Sequence, residues 1–384
     1  MTDKICSQSL CTGCGACVAV CPKHCISLQP DPQGHLLPKI DADVCVNCNL
    51  CRNTCPVNKH VPMHEPILCY AGWAKDEQDR ATSSSGGASS VFAAHFINEG
   101  NIVYGAAVKD NKIQHIRISK AEDLNLIKGS KYVYSYAAGV YPLIKKDLND
   151  GKKVLFIGTS CQNAAVYNLF GDNVNLFLVN LICHGVPALQ MLTEHLSHKV
   201  EGGIKDISFR CGNVYRLKCQ NYDSSKKIIP DIYLTLFIRG IICRPSCYKC
   251  QYTKSERIGD ITLGDFWGLG KKTPFKEDIT NGCSLIVINT EKGYKFLQDC
   301  KNKLNIYSRD YMEAVEGNGK LRASLKLTPY VENFNKYYPK FSFGVAAWLT
   351  FPWGLFKQLV RNCRIFNIPI DFIKYILHKI NKKS

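Results

Sequence analysis

Two cysteine runs constrain this chain more than anything else in it. Residues 11–22 read "CTGCGACVAVCP" and residues 45–56 read "CVNCNLCRNTCP", both of the form C-x2-C-x2-C-x3-C-P. Steps of two residues let three thiolates wrap one iron–sulfide cubane while backbone N–H groups point at its sulfides. The longer step and the proline then turn the chain toward a second cubane, so the fourth cysteine of each run serves the other centre. Cys11, Cys14, Cys17 and Cys55 are thereby expected on one [4Fe-4S] centre, and Cys45, Cys48, Cys51 and Cys21 on the other. Gly13 and Gly15 suit a close backbone approach. Two full copies, each with its proline, weigh heavily against a zinc site or disulfides. Cys6 and Cys25 fall outside the spacing and read as ordinary thiols.

This is the pattern of a bacterial-type 2[4Fe-4S] ferredoxin domain, expected over residues 1–62, a conduit of one-electron centres. The chain has 21 cysteines in 384 residues, which in a small secreted protein would suggest disulfides. The start "MTDKICSQSL" has no apolar stretch behind a basic end, and no run of 18 uncharged apolar residues occurs. Metal-bound thiolates in a reducing cytoplasm are therefore expected. The formal charge is +17. Three four-thiolate centres would lower it by roughly 6. No RNP, helix-turn-helix or C2H2 pattern accompanies it, so no nucleic-acid partner is expected. A basic face docking an acidic redox protein or ferredoxin-like carrier fits better.

After the polar, proline-bearing linker "NKHVPMHEP" (58–66), strand and helix patterns alternate. Strands are predicted at 101–108, 112–118, 153–158, 173–183, 204–209, 259–265 and 283–290, and helices near 86–99, 136–149, 161–170, 186–200 and 291–304. The fold class is α+β/α/β: the ferredoxin domain, then a mixed α/β domain over residues 66–335, then a basic helical tail over 340–384. In the tail, apolar and aromatic residues alternate with Lys and Arg. It reads either as helices lying on the inner face of an anionic membrane or as helices packed on the domain or a partner.

Four stretches of the second domain bear polar groups at strand or helix ends. "SSSGGASSVFAAHF" (83–96) places serines and glycines before a helix, where N–H groups could hold a phosphate or simply be capped. It lacks the G-x-G-x-x-G fingerprint. "VLFIGTSCQNAAV" (154–166) breaks from a strand into a helix at Cys161, a nucleophile, cluster ligand or buried thiol. "LICHGVP" (181–187) places Cys183 beside His184, but neighbours on an extended strand face opposite ways, which disfavours a Cys–His pair. "GDITLGDFWGLG" (259–270) sets Asp260 and Asp265 among glycines, bonded to backbone N–H groups or to ribityl or ribose hydroxyls.

Taken in order, "SSSGGASS", "KGSKYVYS" (128–135), "GTSCQ", "CHGVP", "FRCGN", "CRPSCYKCQYTKSERIGDITLGDFWG" and "NGCSLIVINT" resemble the family of coenzyme F420 hydrogenase/dehydrogenase beta subunits over about residues 66–310. The resemblance implies a non-covalent flavin, FAD rather than FMN, in the α/β domain, with a further [4Fe-4S] centre beside it. Matched motif by motif, Ser85, Gly86 and Gly87 should line the flavin phosphates. Gly129, Ser130 and Lys131 should approach the flavin or its reaction partner. Thr159, Gln162 and His184 should edge the same pocket, with Asp260 and Asp265 as hydroxyl contacts or supports. Lys131 and His184 are the candidate catalytic residues; the alternative for Lys131 is a surface lysine. Many relatives have proline where this chain has Ser160, which keeps Cys161 in place but alters the turn.

Within that frame "CRPSCYKCQYTK" (243–254) gains a purpose. Cys243, Cys247 and Cys250 would supply three ligands of the third centre and Cys161 the fourth, with Cys183 and Cys211 in reserve. The expected activity exchanges electrons between a small-molecule hydride donor or acceptor, F420-like or other, at a flavin and the one-electron centres. Two other roles are open: an electron-input subunit of a larger redox assembly, homo- or hetero-oligomeric, and a zinc-bearing nucleic-acid binder built on residues 243–250.

Overall fold

The computed structural model describes residues 4–365 apart from residue 213 and residues 228–230. Among these residues, thirteen strands form three sheets. β1 (Ile26–Pro30) and β2 (Leu36–Ile40) make an antiparallel hairpin in the cysteine-rich N-terminal part. The main sheet contains β3 (Leu68–Ala74), β4 (Ile102–Lys109), β5 (Lys112–Ile118), β6 (Val154–Thr159) and β7 (Leu176–Leu181). A small antiparallel sheet comes next, of β8 (Ser208–Cys211), β9 (Val214–Cys219) and β10 (Tyr222–Asp223). The main sheet is then completed by β11 (Ile261–Asp265), β12 (Ser284–Ile288) and β13 (Leu304–Ser308), in the order β13-β3-β12-β11-β7-β6-β4-β5.

β4, β6, β7 and β11 are parallel, with Phe156 opposite Tyr104 and Leu178, and Leu263 opposite Leu181. Both faces of this centre are covered, so its strands read as unbroken apolar runs rather than alternating ones. Val103, Leu155 and Val179 pack under the helices Ala88–Asn98 and Glu291–Cys300. Their neighbours Tyr104, Phe156 and Leu178 pack on the opposite face, against the helices Tyr141–Asn149 and Ser160–Phe170. Together with the ferredoxin-type domain, this is the mixed α/β architecture expected from the alternating patterns.

Differences from the sequence reading have local causes. The strand expected at 173–183 starts only at Leu176, because the Asn173 side chain accepts from the Asn175 N–H and holds a turn. The helix expected from 186 begins at Leu189, since Pro187 pairs as an isolated bridge with Cys243. β3 and β13 were not anticipated: β13 lies at the sheet edge, half-buried, directly after a helix whose pattern runs into it. Of the expected tail, the helix Phe343–Thr350 buries Phe343, Ala346 and Ala347 in the core shared with Phe334 and Leu192. Gln358 accepts from the Thr235 hydroxyl. This part packs on the domain, while residues 366–384 of the tail lie outside the described residues. No helix among the described residues is long and apolar enough to cross a membrane.

Gly86 shows how tightly the loop after β3 is held. A Cβ there would lie 2.4 Å from the Gly72 carbonyl oxygen and 2.6 Å from the Ser284 nitrogen, both backbone atoms that cannot yield cheaply. Gly86→Ala should destabilise the protein by about 1–3 kcal/mol, seen as a lower denaturant midpoint with an unchanged slope.

Candidate functional site: three thiol-lined cavities at one end of the sheet

The swapped pairing of the two cysteine runs is visible in the cavities they line. One is lined by Cys11, Cys14, Cys17 and Cys55 together with Cys6. A second, more open one is lined by Cys21, Cys45, Cys48 and Cys51 together with Cys25. In each cavity one cysteine, Cys55 or Cys21, comes from the other run. Gly13 and Gly15 have φ of 68° and 79°, values that let the loop turn its N–H groups inward. Cys6 and Cys25 are closer than expected: Cys25 Sγ lies 3.4 Å from Cys21 Sγ, although both fall outside the motif.

A third cavity, of about 110 Å³, opens at the carboxyl ends of β6 and β7. Cys161 reaches it from the first turn of the helix after β6, and Cys183 from the residues just past β7. Cys247 and Cys250 come from the 3-10 turn Pro245–Lys249 and its end. Cys243 does not line it. Its buried thiol packs with Tyr248 and Val331 and lies just behind the lining, against Gly185. Cys211 is exposed on β8.

The remaining lining favours a negative group. Arg244, Arg257 and Lys320 border the cavity. The Nε and Nη2 of Arg244 and the Nε of Arg257 are buried without hydrogen-bond partners. Burial pushes the Cys14 and Cys247 thiols up to about 12, so neither would ionise unaided; bound iron is the cation that draws such thiols to thiolates. Among the described residues no three Cys, His, Asp or Glu side chains converge closely enough to hold a single metal ion. Spread around a cavity, four thiols with cationic neighbours fit an anionic iron–sulfur cube better than one tetrahedral zinc.

The ferredoxin-type domain is seated directly on this region. Tyr134 donates its hydroxyl to the Gly13 carbonyl at 2.6 Å and Tyr141 to the Cys14 carbonyl at 2.7 Å. Gln251 Nε2 donates to Pro56 O at 3.1 Å. Leu10 and Thr12, which flank Cys11, also line the third cavity.

The residues expected to meet a flavin fall into three groups. Ser84 Oγ accepts from the Ser130 N–H at 2.7 Å and joins the serine loop to the loop 128–131. At Gly129, with φ of 78°, a Cβ would meet only Ser84 Oγ, at 3.9 Å, and desolvation lowers the Lys131 ammonium to about 8. Ser85 is occupied with the Cys283 carbonyl, and Gly87 caps the following helix with φ of 85°. Thr159 and Gln162 cap the helix Ser160–Phe170 reciprocally, and the Thr159 hydroxyl lies 3.3 Å from Cys161 Sγ. His184 borders the third cavity, its Nε2 3.0 Å from the Phe237 carbonyl, and burial lowers its pKa.

Asp265, at the carboxyl end of β11, accepts from Arg210 Nη1 at 3.0 Å. Arg210 also donates to Tyr132, packs over Tyr215 and Trp267, and keeps a buried, unpartnered Nη2. Sequence reading missed Arg210, although "FRCGN" contains it. Asp260 stands apart at the opposite end of β11. Its carboxylate accepts from the Leu178 N–H and the Thr290 hydroxyl and pairs with Lys292, so the fold itself occupies it.

These features define an iron–sulfur electron-transfer protein with a ferredoxin-type domain on a mixed α/β domain. Residues 151–314 match the family model for the C terminus of the coenzyme F420 hydrogenase/dehydrogenase beta subunit, and residues 10–59 match that of the 4Fe-4S dicluster domain. The chain thus carries a region similar to the C terminus of coenzyme F420 hydrogenase/dehydrogenase beta subunits behind an N-terminal 4Fe-4S dicluster domain. It is similar to a subunit of the F(420)H(2) dehydrogenase of Methanosarcina mazei, 23% identical over 358 residues, covering 88% of this chain and 96% of the relative. An uncharacterized protein of Methanocaldococcus jannaschii is 26% identical over 340 residues, covering 77% of this chain and 84% of the relative. Among solved structures, a chain of the F420-reducing [NiFe] hydrogenase complex from Methanosarcina barkeri aligns with a TM-score of 0.48 at 17% identity. That alignment covers 72% of this chain and 96% of the other.

Cys161→Ser and Cys183→Ser should each lose about four irons per chain, whereas Cys243→Ser should keep its full complement. Iron and sulfide assays on anaerobically purified variants check this.

Proposed function

We propose that the chain exchanges electrons between a two-electron carrier at a flavin and one-electron [4Fe-4S] centres. The observation that carries this reading is the place of the third thiol cavity. It lies between the Cys11 loop of the ferredoxin-type domain and the carboxyl edge of the parallel strands, where Thr159 and His184 stand. Ligands are usually held outside that edge in open α/β sheets. Cys161, Cys183, Cys247 and Cys250 would hold the third cluster, and the eight cysteines of the two runs the other two.

A flavin, FAD by family resemblance, would supply the step between paired and single electrons when bound. The chain's own residues supply the anchorage. Gly129 leaves room for a cofactor against Ser130, and Lys131 and Arg210 bring positive charge to where a phosphate or a negative ring would lie. His184, with Nε2 at the Phe237 carbonyl, keeps a fixed orientation and is neutral near pH 7.

The donor or acceptor would be a small hydride carrier, of F420 type or another, and the partner a ferredoxin-like carrier or a redox protein. Because one relative is named as part of a dehydrogenase, the second reading is an electron-input subunit whose partner performs the chemistry. Mixing the oxidised protein with F420H2, NADH or reduced ferredoxin one at a time separates the two. Bleaching of flavin by a hydride donor supports an active site in this chain, and response to ferredoxin alone supports the electron-input role.

Peripheral membrane contact is a narrower proposal, supported by four exposed apolar side chains: Phe341 just before the helix Phe343–Thr350, Val345 and Leu349 on it, and Trp353 at the start of the helix that follows. A Leu349→Glu/Trp353→Glu variant should no longer float with anionic phospholipid vesicles that carry the parent protein. Parent protein that stays at the bottom of the gradient would end this proposal.

Lys131 gives a pH dependence. With its free ammonium lowered to about 8, the positive charge is lost as pH rises through that value, so flavin affinity should fall by up to about tenfold per pH unit above it. Lys131→Met should bind flavin more weakly, with a flat profile from about pH 7 to about pH 10. Fluorescence titration of apoprotein with FAD measures both.

A further inference from the structure

Arg244 is the most conspicuous charge that the proposed function does not use. It follows Cys243 in the motif, is 2% exposed, and has no carboxylate partner among the described residues. Its Nη1 donates to the Leu36 carbonyl at 3.0 Å and lies 3.5 Å from the Cys11 carbonyl. Its Nε and Nη2 have no partner. The guanidinium packs so closely on the first cluster loop that a Cβ on Gly13 would lie 2.8 Å from Nη2. Beneath it lies the ring of Tyr134, with its centroid 5.4 Å from Cζ. On its other side Arg244 lines the third cavity beside Cys247 and Cys161. The neighbouring His35 is held down to about 3, by burial first and by this guanidinium second, so its ring stays neutral and adds no second positive charge beside the arginine.

A buried guanidinium without a counter-ion is costly, by several kcal/mol for an isolated ion. Two unsatisfied donors add to that cost. Iron–sulfur cubes with four thiolates are the missing negative charge, and Arg244 touches the walls of two cavities that would hold them. We propose that Arg244 is a positioning residue that serves as shared counter-ion to the Cys11/Cys14/Cys17/Cys55 centre and the Cys161/Cys183/Cys247/Cys250 centre. It raises both reduction potentials and keeps them close, so that an electron crosses between domains without a large step. The inference rests on the cluster assignment above. The centre on Cys21, Cys45, Cys48 and Cys51 lies on the other cavity and is the internal reference.

The test is an EPR-monitored redox titration of the full-length, anaerobically reconstituted protein, with iron counted in each sample. Arg244→Met should lower the potentials of the first and third centres by at least a tenfold change in the reduction equilibrium, about 59 mV for one electron. The reference centre should move far less. Arg244→Lys should recover most of the shift, since it restores charge but not the fork. Should Arg244→Met fail to take up iron, Arg244→Gln, which keeps a donor to Leu36, replaces it with the same expected shift. Unchanged potentials in a fully loaded variant would overturn the proposal, as would an equal shift of all three centres, which would mark a general loosening. If the parent protein holds only about eight irons, the assignment of the third centre fails. The first centre's shift then still decides the role of Arg244 there.

Discussion

The structure turns on how the Cys11–Gly15 loop is seated. A cluster-binding loop must direct its N–H groups inward at the sulfides, which leaves its carbonyls pointing outward and in need of donors. Tyr134 and Tyr141 of the second domain provide those donors at Gly13 and Cys14, while Arg244 donates to Leu36 on the adjoining β2 and lies 3.5 Å from the Cys11 carbonyl. The same loop presses on Ala138, since a Cβ on Gly15 would lie 2.5 Å from the Ala138 Cβ. One set of contacts thus satisfies the loop, joins the two domains and brings the first centre beside the third cavity. Neutral thiols are buried there at little cost, but the guanidiniums of Arg244 and Arg257 call for negative charge, which thiolates of a bound cluster would supply.

The parallel strands deliver the rest. Each of β6, β7 and β11 ends at the same edge; Thr159–Cys161 and Cys183–His184, at or just past the first two ends, line the third cavity, and Asp265 ends β11. Adjacent strands in register place residues widely separated in sequence within one site. The serine loop after β3 and the loop at 128–131 are tied to each other through Ser84 and Ser130.

Much of this was readable in the sequence where spacing alone carries the information. The eight cysteines of the paired runs need only local turns to converge, so their grouping comes from the motif. The buried parallel strands show as short apolar runs. Cys161 could be picked out because it stands at a strand-to-helix break. That Cys183 lines the third cavity and Cys243 does not could not be read there, because strand ends brought together by the fold decide which side chains border it. Asp260 looked equivalent to Asp265 in a glycine-rich stretch, but a strand of five residues separates the two ends of the sheet. Arg210 and Arg244 were silent for a similar reason: an arginine's partners, or lack of them, come from distant segments.

A third iron–sulfur centre, linking the ferredoxin-type domain to the strand edge, is the claim on which the rest depends. Iron analysis of the anaerobically reconstituted protein, with Mössbauer spectra to identify cluster type, tests it most directly. The prediction is about twelve irons per chain, all in [4Fe-4S] form. About eight irons, or zinc bound at the third cavity, would contradict it.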